Sequence, residues 1–293
     1  IYDKYADEDD WHTPPTYRKG DHISYWVVLK KGFTPKMKWS NACECVDGYW
    51  CAPVSPEEKA AIEAAAALGI TKLRITGGEP LVKKNIVSIC RRAAAVEGIT
   101  EVCLTTNGTL LSKRGRELIE AGVYKVNISV HSFEDGEDGD AHGRYLDNIL
   151  SFAEEASQNG VLTVLRLWNL DGHGEALGGN NARTLDYLRQ RFPDNAETPW
   201  KFSPRGARMR DKLHLEYGDR FEWPDSSADD RGSGVFCYGL KDHFAILCDG
   251  TVVPCCLDRE GAIPLGNLFE TPVEEILSSP RAQAMREGFQ RRC

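Results

Sequence analysis

The sequence has no apolar run near the length needed to cross a bilayer, and its first ten residues are polar and acidic, unlike a secretory leader. A membrane-spanning or exported class is not expected. The expectation is a cytoplasmic protein with no membrane partner. An excess of positive charge is also missing. Thirty-six Lys and Arg stand against 44 Asp and Glu, a net −8, which argues against general nucleic-acid binding but leaves room for a local basic patch. The chain begins at Ile1 without an initiator Met, as a trimmed sequence would. The acidic loop at residues 134–140 lacks the alternating oxygen ligands and closing Glu of a helix-loop-helix calcium site, and reads as a solvated loop. No internal repeat is visible beyond an alternation of strand and helix.

What is present suits a large α/β domain with a smaller appendage. The chain has 293 residues, 41% of them hydrophobic and 27% charged. Ten cysteines are unevenly placed. Cys43, Cys45 and Cys51 crowd near the start, and Cys237, Cys248, Cys255, Cys256 and Cys293 fall in the last quarter. Cys90 and Cys103 stand alone on predicted regular elements, where a thiol is a small buried hydrophobe. Two clusters without a secretory signal favour metal or Fe–S ligation over a disulfide framework.

The pattern along the chain predicts a first strand at 23–29, then a helix entered through Ser55, Pro56 and Glu58, a capping box, and closed by Gly69. Strands at 72–76, 101–105, 125–130 and 161–167 alternate with helices near 86–95, 113–121, 145–159 and 182–191. A sixth strand is expected to begin at 201–202. This alternation predicts βαβ units, a parallel sheet and a partial (β/α)6 TIM-like barrel. The expected division is a polar lead-in at 1–20, the barrel at 21–204, a charged irregular linker at 205–234, and a small cysteine-rich C-terminal domain at 235–293. The last is expected to contain a hairpin at 236–256 and one final helix at 272–289.

The chemistry centres on residues 72–81, K-L-R-I-T-G-G-E-P-L. Leu73 and Ile75 alternate with Arg74 and Thr76, so a strand with one apolar face runs into a glycine turn that Pro80 terminates. Glu79 is left at the carboxyl end of the strand, where α/β folds bind ligands. In the strand at 125–130, Asn127 and Ser129 share a face opposite Val126, Ile128 and Val130, which suggests a lined cavity inside the sheet. Arg166 interrupts the apolar run V-L-R-L-W and needs an anionic partner, either a protein carboxylate or a ligand. Taken with Glu79, Asn107, Asn127 and Ser129 at neighbouring strand ends, Arg166 favours a ligand bearing both amine and carboxylate groups. Three thiolates after the first strand suit either a 4Fe–4S cluster with one open iron or zinc with a fourth ligand, and spacing leaves both open.

Together these features resemble the radical S-adenosylmethionine (SAM) superfamily. The resemblance implies a partial barrel, a three-cysteine loop holding a 4Fe–4S cluster, and SAM cleaved to a 5′-deoxyadenosyl radical that abstracts hydrogen from a peptide or small-metabolite substrate. It also implies an electron donor such as flavodoxin or ferredoxin. On this resemblance Gly77, Gly78, Glu79 and Pro80 border the methionine amine, with Thr106 and Asn107 beside them. Asn127 and Ser129 approach the ribose, Arg166 the carboxylate, and Trp50 the adenine. Cys43, Cys45 and Cys51 are the cluster ligands. The runs R-I-T-G-G-E-P-L, T-T-N-G-T-L-L and V-N-I-S are similar to the molybdenum-cofactor cyclase branch, which makes a nucleotide cyclase the alternative.

The cysteine loop departs from the family. It reads C-x-C-x5-C in place of C-x3-C-x2-C, and Glu44 and Gly48 occupy the positions expected for the first two thiols. An inactive or structural metal-binding barrel is a further alternative. The C-terminal part resembles the SPASM or shorter twitch domains through Cys237, Gly250 and Cys255 in C-x12-G-x4-C, with Cys293 as a third ligand of an auxiliary Fe–S cluster. Against the cyclase branch, Leu240 stands where a second cysteine of a C-x2-C pair would be, and no terminal Gly-Gly is present.

Overall fold

A computed structural model describes residues 23–28, 45–46, 49–50, 62–64, 66–131, 139–167, 179–218 and 237–291. The capping box at Ser55–Glu58 and the acidic loop at 134–138 lie outside the described residues.

The early strands are β1 (Ile23–Val28), the short pair β2 (Cys45–Val46) and β3 (Tyr49–Trp50), and β4 (Lys72–Gly77). Then come α1 (Ile86–Ala94), β5 (Glu101–Thr106), α2 (Leu111–Glu120), β6 (Lys125–Val130), α3 (Gly139–Gln158), β7 (Leu162–Leu167) and α4 (Gly179–Arg191). The remainder is β8 (Lys201–Ser203), β9 (Gly206–Arg210), β10 (Leu213–Tyr217), β11 (His243–Ile246), β12 (Thr251–Val253), β13 (Gly266–Asn267), α5 (Val273–Ser278) and α6 (Pro280–Arg291). Eleven strands form one sheet in the order β13-β12-β11-β1-β4-β5-β6-β7-β10-β9-β8.

Strands β4, β5, β6, β7 and β10 run parallel. The fold is therefore α/β with a parallel sheet, as the strand–helix alternation requires. Two details differ from expectation. β1 joins β4 antiparallel, with Tyr25 opposite Ile75. The last parallel position is filled by β10, not by residues 201–202, because the stretch expected to be irregular after Arg205 folds into β9 and β10. Leu213 and Leu215 alternate with His214 and Glu216, a strand period hidden in the sequence by flanking charge.

One face of the parallel strands is packed under helices. Ile75, Leu104, Val126, Ile128 and Leu165 are fully buried, as are Ile86, Ile89, Leu118 and Ile149 from α1, α2 and α3. Helices α2 and α3 meet at Gly115, where a Cβ would stand 2.4 Å from the Phe152 ring. Gly115→Ala is expected to overpack this contact by about 1–3 kcal/mol despite alanine's better helix propensity. A lower urea midpoint with an unchanged m-value is the measurement that checks it.

At the other end of the sheet β11 pairs with β1, so the C-terminal segment continues the same sheet. The expected hairpin is present as β11–β12, with β13 added to it. The expected single final helix is two, because Ser279 precedes Pro280 and is pushed to extended backbone at φ −59°, ψ 152°.

Candidate active site

The glycine turn begins where β4 ends. Gly77 has φ 149°, a backbone conformation L side chains avoid, and this turns the chain out of the sheet. A Cβ at Gly78 would meet nothing within 4 Å, so the turn faces open space. Glu79 then caps the single 3-10 turn Pro80–Val82, with Oε1 accepting from the Leu81 N–H at 3.0 Å. The same oxygen accepts from the Thr106 hydroxyl at 2.7 Å, and Oε2 accepts from the Asn107 N–H at 2.6 Å. Glu79 thus clamps the turn after β4 to the end of β5. Burial pushes its carboxyl above the ordinary range, and the donors from Asn107, Thr106 and Leu81 oppose that shift.

The clamp is itself braced. The Gly108 N–H donates to the Thr106 hydroxyl oxygen at 3.1 Å, while Asn107 Oδ1 accepts from the backbone and hydroxyl of Thr109. From α3, the Tyr145 hydroxyl donates to the Asn107 carbonyl at 2.7 Å and accepts from the His131 N–H at 3.3 Å. The carboxyl ends of β4, β5 and β6 are held as one rim.

Below the rim, register places three rows on the face of the sheet away from the helices. Ser129, Arg166, Glu216 and Gly206 are successive partners across β6, β7, β10 and β9. Thr105, Asn127, Val164, His214, Arg208 and Lys201 form the next row. Arg74, Cys103, Lys125 and Leu162 form the third, at the amino ends of the parallel strands. The expected polar lining is present, and it extends to cations. Burial lowers the Lys125 pKa, and the Arg74 charge lowers it further. The backbone positions of the two cations are about 10 Å apart, two strand spacings, in one row of this floor.

Arg166 finds the protein-carboxylate partner that its sequence left open. Its Nη2 donates to both Glu216 oxygens, at 3.1 and 3.0 Å. Asn127 is buried, with its Nδ2 3.5 Å from Thr105 Oγ1, and among the described residues its Oδ1 has no hydrogen-bond partner. An orphaned acceptor in the interior is costly and fits a ligand that brings a donor. Together with the space at Gly78, it fits a small polar ligand under the rim.

Cys43, Cys51 and Cys293 lie outside the described residues. Cys45 and Trp50 are backbone partners between β2 and β3. In the C-terminal part, the Cys237 sulfur accepts from the Gly239 N–H at 3.4 Å. Burial raises the Cys255 pKa, and the Cys237 thiol is close enough to raise it further. Two candidate ligands of the auxiliary site are thus neighbours. Among the described residues no three His, Cys, Asp or Glu side chains converge on a metal-sized site. Cys90 is fully buried and its thiol is pushed up to about 12, while Cys103 is equally buried and also raised. Both suit packing rather than ligation.

Sequence reasoning missed Arg74, Lys125 and Glu216. The first two were detectable from strand parity, since they alternate with Leu73, Ile75 and Val126. Glu216 was not, because its strand was read as irregular.

Residues 51–176 match the radical SAM superfamily, and residues 237–293 match SPASM, an iron–sulfur cluster-binding domain. A radical SAM domain implies a 4Fe–4S cluster and SAM, and a SPASM domain implies an auxiliary Fe–S cluster. The GTP 3′,8-cyclase of Thermodesulfovibrio yellowstonii is 40% identical over 104 residues, 35% of this chain and 32% of that protein. The GTP 3′,8-cyclase of Geobacter sulfurreducens is 55% identical over 69 residues, 24% of this chain and 21% of that protein. The matched part thus spans a third or less of these relatives. A crystal structure of BtrN in complex with AdoMet and 2-DOIA superposes with a TM-score of 0.45 at 16% identity, covering 83% of this chain and 76% of that one.

Proposed function

The chain carries a radical SAM domain and a SPASM domain, and from that premise we propose a radical SAM enzyme acting on an anionic, phosphate-bearing substrate of the nucleotide class. The observation that carries the substrate reading is the cationic floor of Arg74 and Lys125 beneath Asn127, in a chain whose net charge is −8. Phosphate oxygens are the ligand chemistry such a floor attracts. The name of the relatives, GTP 3′,8-cyclase, supports the same class.

The cluster and SAM, when bound, supply a 5′-deoxyadenosyl radical for hydrogen abstraction. The protein's part is binding and orientation. Glu79 keeps the rim closed on its own backbone donors, so the methionine end of SAM meets a rigid turn. Asn127 Oδ1 offers its unused acceptor to a ligand donor, and Ser129 lies one step above it. Arg166, steadied by Glu216, presents its guanidinium to a carboxylate. Arg74 and Lys125 hold the far, phosphorylated end of the substrate. Cys43, Cys45 and Cys51 are the proposed cluster ligands, and Cys237, Cys255 and Cys293 those of an auxiliary cluster.

The reading is tested by anaerobic reconstitution with iron and sulfide, then dithionite and SAM with or without GTP. Formation of 5′-deoxyadenosine that GTP accelerates is expected, as is loss of cleavage in Cys51→Ala but not in Cys90→Ala. Zinc in place of iron and no 5′-deoxyadenosine would sink the enzyme reading. A second reading, a peptide or other small-metabolite substrate, rests on the SPASM match at 237–293. Cleavage indifferent to GTP and to Arg74→Ala would favour it.

A further inference from the structure

The edge of the sheet farthest from β1's partner strands carries a charge arrangement that the proposed reaction does not use. Residues 201–212 hold five cations, Lys201, Arg205, Arg208, Arg210 and Lys212, against the single carboxylate of Asp211. A segment of net +4 inside a chain of net −8 is a strong local asymmetry. Within it, Lys201 and Arg208 are direct cross-strand partners on β8 and β9. Like charges placed opposite each other destabilise a strand pair unless an anion sits between or beside them. Among the described residues, neither side chain has a carboxylate within ion-pair distance.

The neighbours build a concave wall around this pair. Lys201 and Arg208 line a groove of about 210 Å³ with Thr198, Pro199, Met209, Arg210 and Asp211. The Arg210 guanidinium donates to the carbonyls of Pro193 at 3.1 Å, Met209 at 2.6 Å and Thr198 at 3.5 Å, and lies over the Phe192 ring. It is therefore fixed in place by neutral acceptors, and among the described residues no carboxylate forms an ion pair with it. His214, next in the row, has its pKa lowered by burial, then by the charges of Arg208 and Lys125, with Asp211 opposing.

We propose that the β8–β9 hairpin is an oxyanion site for a phosphate group, with Lys201 and Arg208 as its charged ligands and Arg210 as a fixed wall. The Arg208 fork suits two phosphate oxygens at once, and the Lys201 ammonium adds a point charge. The groove lies three strand spacings, roughly 14 Å, from Lys125 along the sheet, so it is separate from the floor beneath Asn127. The anion is free inorganic pyrophosphate or phosphate, since the phosphates of the proposed substrate are placed on Arg74 and Lys125.

Lysine acetylation of the full chain read by mass spectrometry gives a local test. Millimolar pyrophosphate should slow acetylation of Lys201 by roughly threefold or more, while exposed Lys84 is unaffected. In Arg208→Ala the pyrophosphate concentration needed for protection should rise about tenfold or more, as expected for one lost charge-assisted contact. Arg74→Ala should leave that protection unchanged, which separates this site from the proposed substrate floor. Protection by GTP at much lower concentration than pyrophosphate would overturn the assignment to a free anion. Equal labelling of Lys201 with and without both ligands, or protection that survives Arg208→Ala, would overturn the proposal.

Discussion

Glu79→Ala is expected to lower stability by about 3 kcal/mol, because three donors lose their common acceptor at one stroke. The Leu81 and Asn107 N–H groups and the Thr106 hydroxyl all point at this carboxylate. Only the hydroxyl is free to rotate to another partner. For a chain of this size the melting temperature should fall by roughly 6–12 °C. Glu79→Gln should lose less, since its carbonyl still serves two donors while its NH₂ opposes the Asn107 N–H. The pH dependence gives a second readout. The folded carboxyl has a raised pKa, so the native state binds this proton more tightly than the unfolded chain does. Its contribution to stability is therefore greatest below the ordinary glutamate pKa and falls as pH rises through the raised folded value. Glu79→Gln should remove that part of the slope. A wild-type slope retained in the variant would contradict the burial of Glu79, and a Glu79→Ala protein as stable as wild type would contradict the clamp.

Gly206→Ala is expected to cost about 4 kcal/mol, combining backbone strain with a steric clash. Gly206 has φ 147°, and a Cβ there would lie 2.0 Å from the Leu215 carbonyl oxygen and 2.8 Å from its carbon. Both atoms are backbone, so no side chain can swing aside. β9 would have to part from β10, and Gly206 is the direct partner of Glu216. The substitution should therefore also loosen the Arg166–Glu216 pair on the inner face. Denaturant unfolding and limited proteolysis of residues 204–212 measure the effect. Gly78→Ala serves as the contrast, because its Cβ enters open space and stability should change by no more than about 0.5 kcal/mol. If both alanines were equally tolerated, the close approach of β9 to β10 would be wrong.

The glycine turn shows how far local pattern reaches. Leu73 and Ile75 do alternate with half-buried Arg74 and Thr76, and the strand stops at Gly77 as the turn residues dictate. The same period exposed Asn127 and Ser129 as a lining. The sequence left Glu79 as a partner for a ligand ammonium group, and the structure adds that its oxygens hold the end of β5, nearly thirty residues away in sequence. Strand β10 marks the opposite failure. Its period of two is only five residues long and sits among arginines and lysines, so charge density outweighed alternation.

By itself, the sequence determined what depends on neighbours a few residues apart: the strand–helix alternation, the turn at 77–80, and which face of each strand is polar. Side-chain parity and backbone restriction act locally, and no other part of the chain can reverse them. Only the tertiary structure decided which polar groups meet. It set β1 antiparallel to β4, brought Glu216 beside Arg166 across fifty residues, and stacked Arg74 and Lys125 into one floor. Those outcomes turn on strand order and register, and each strand pairing is set by the burial of the whole sheet rather than by any one segment.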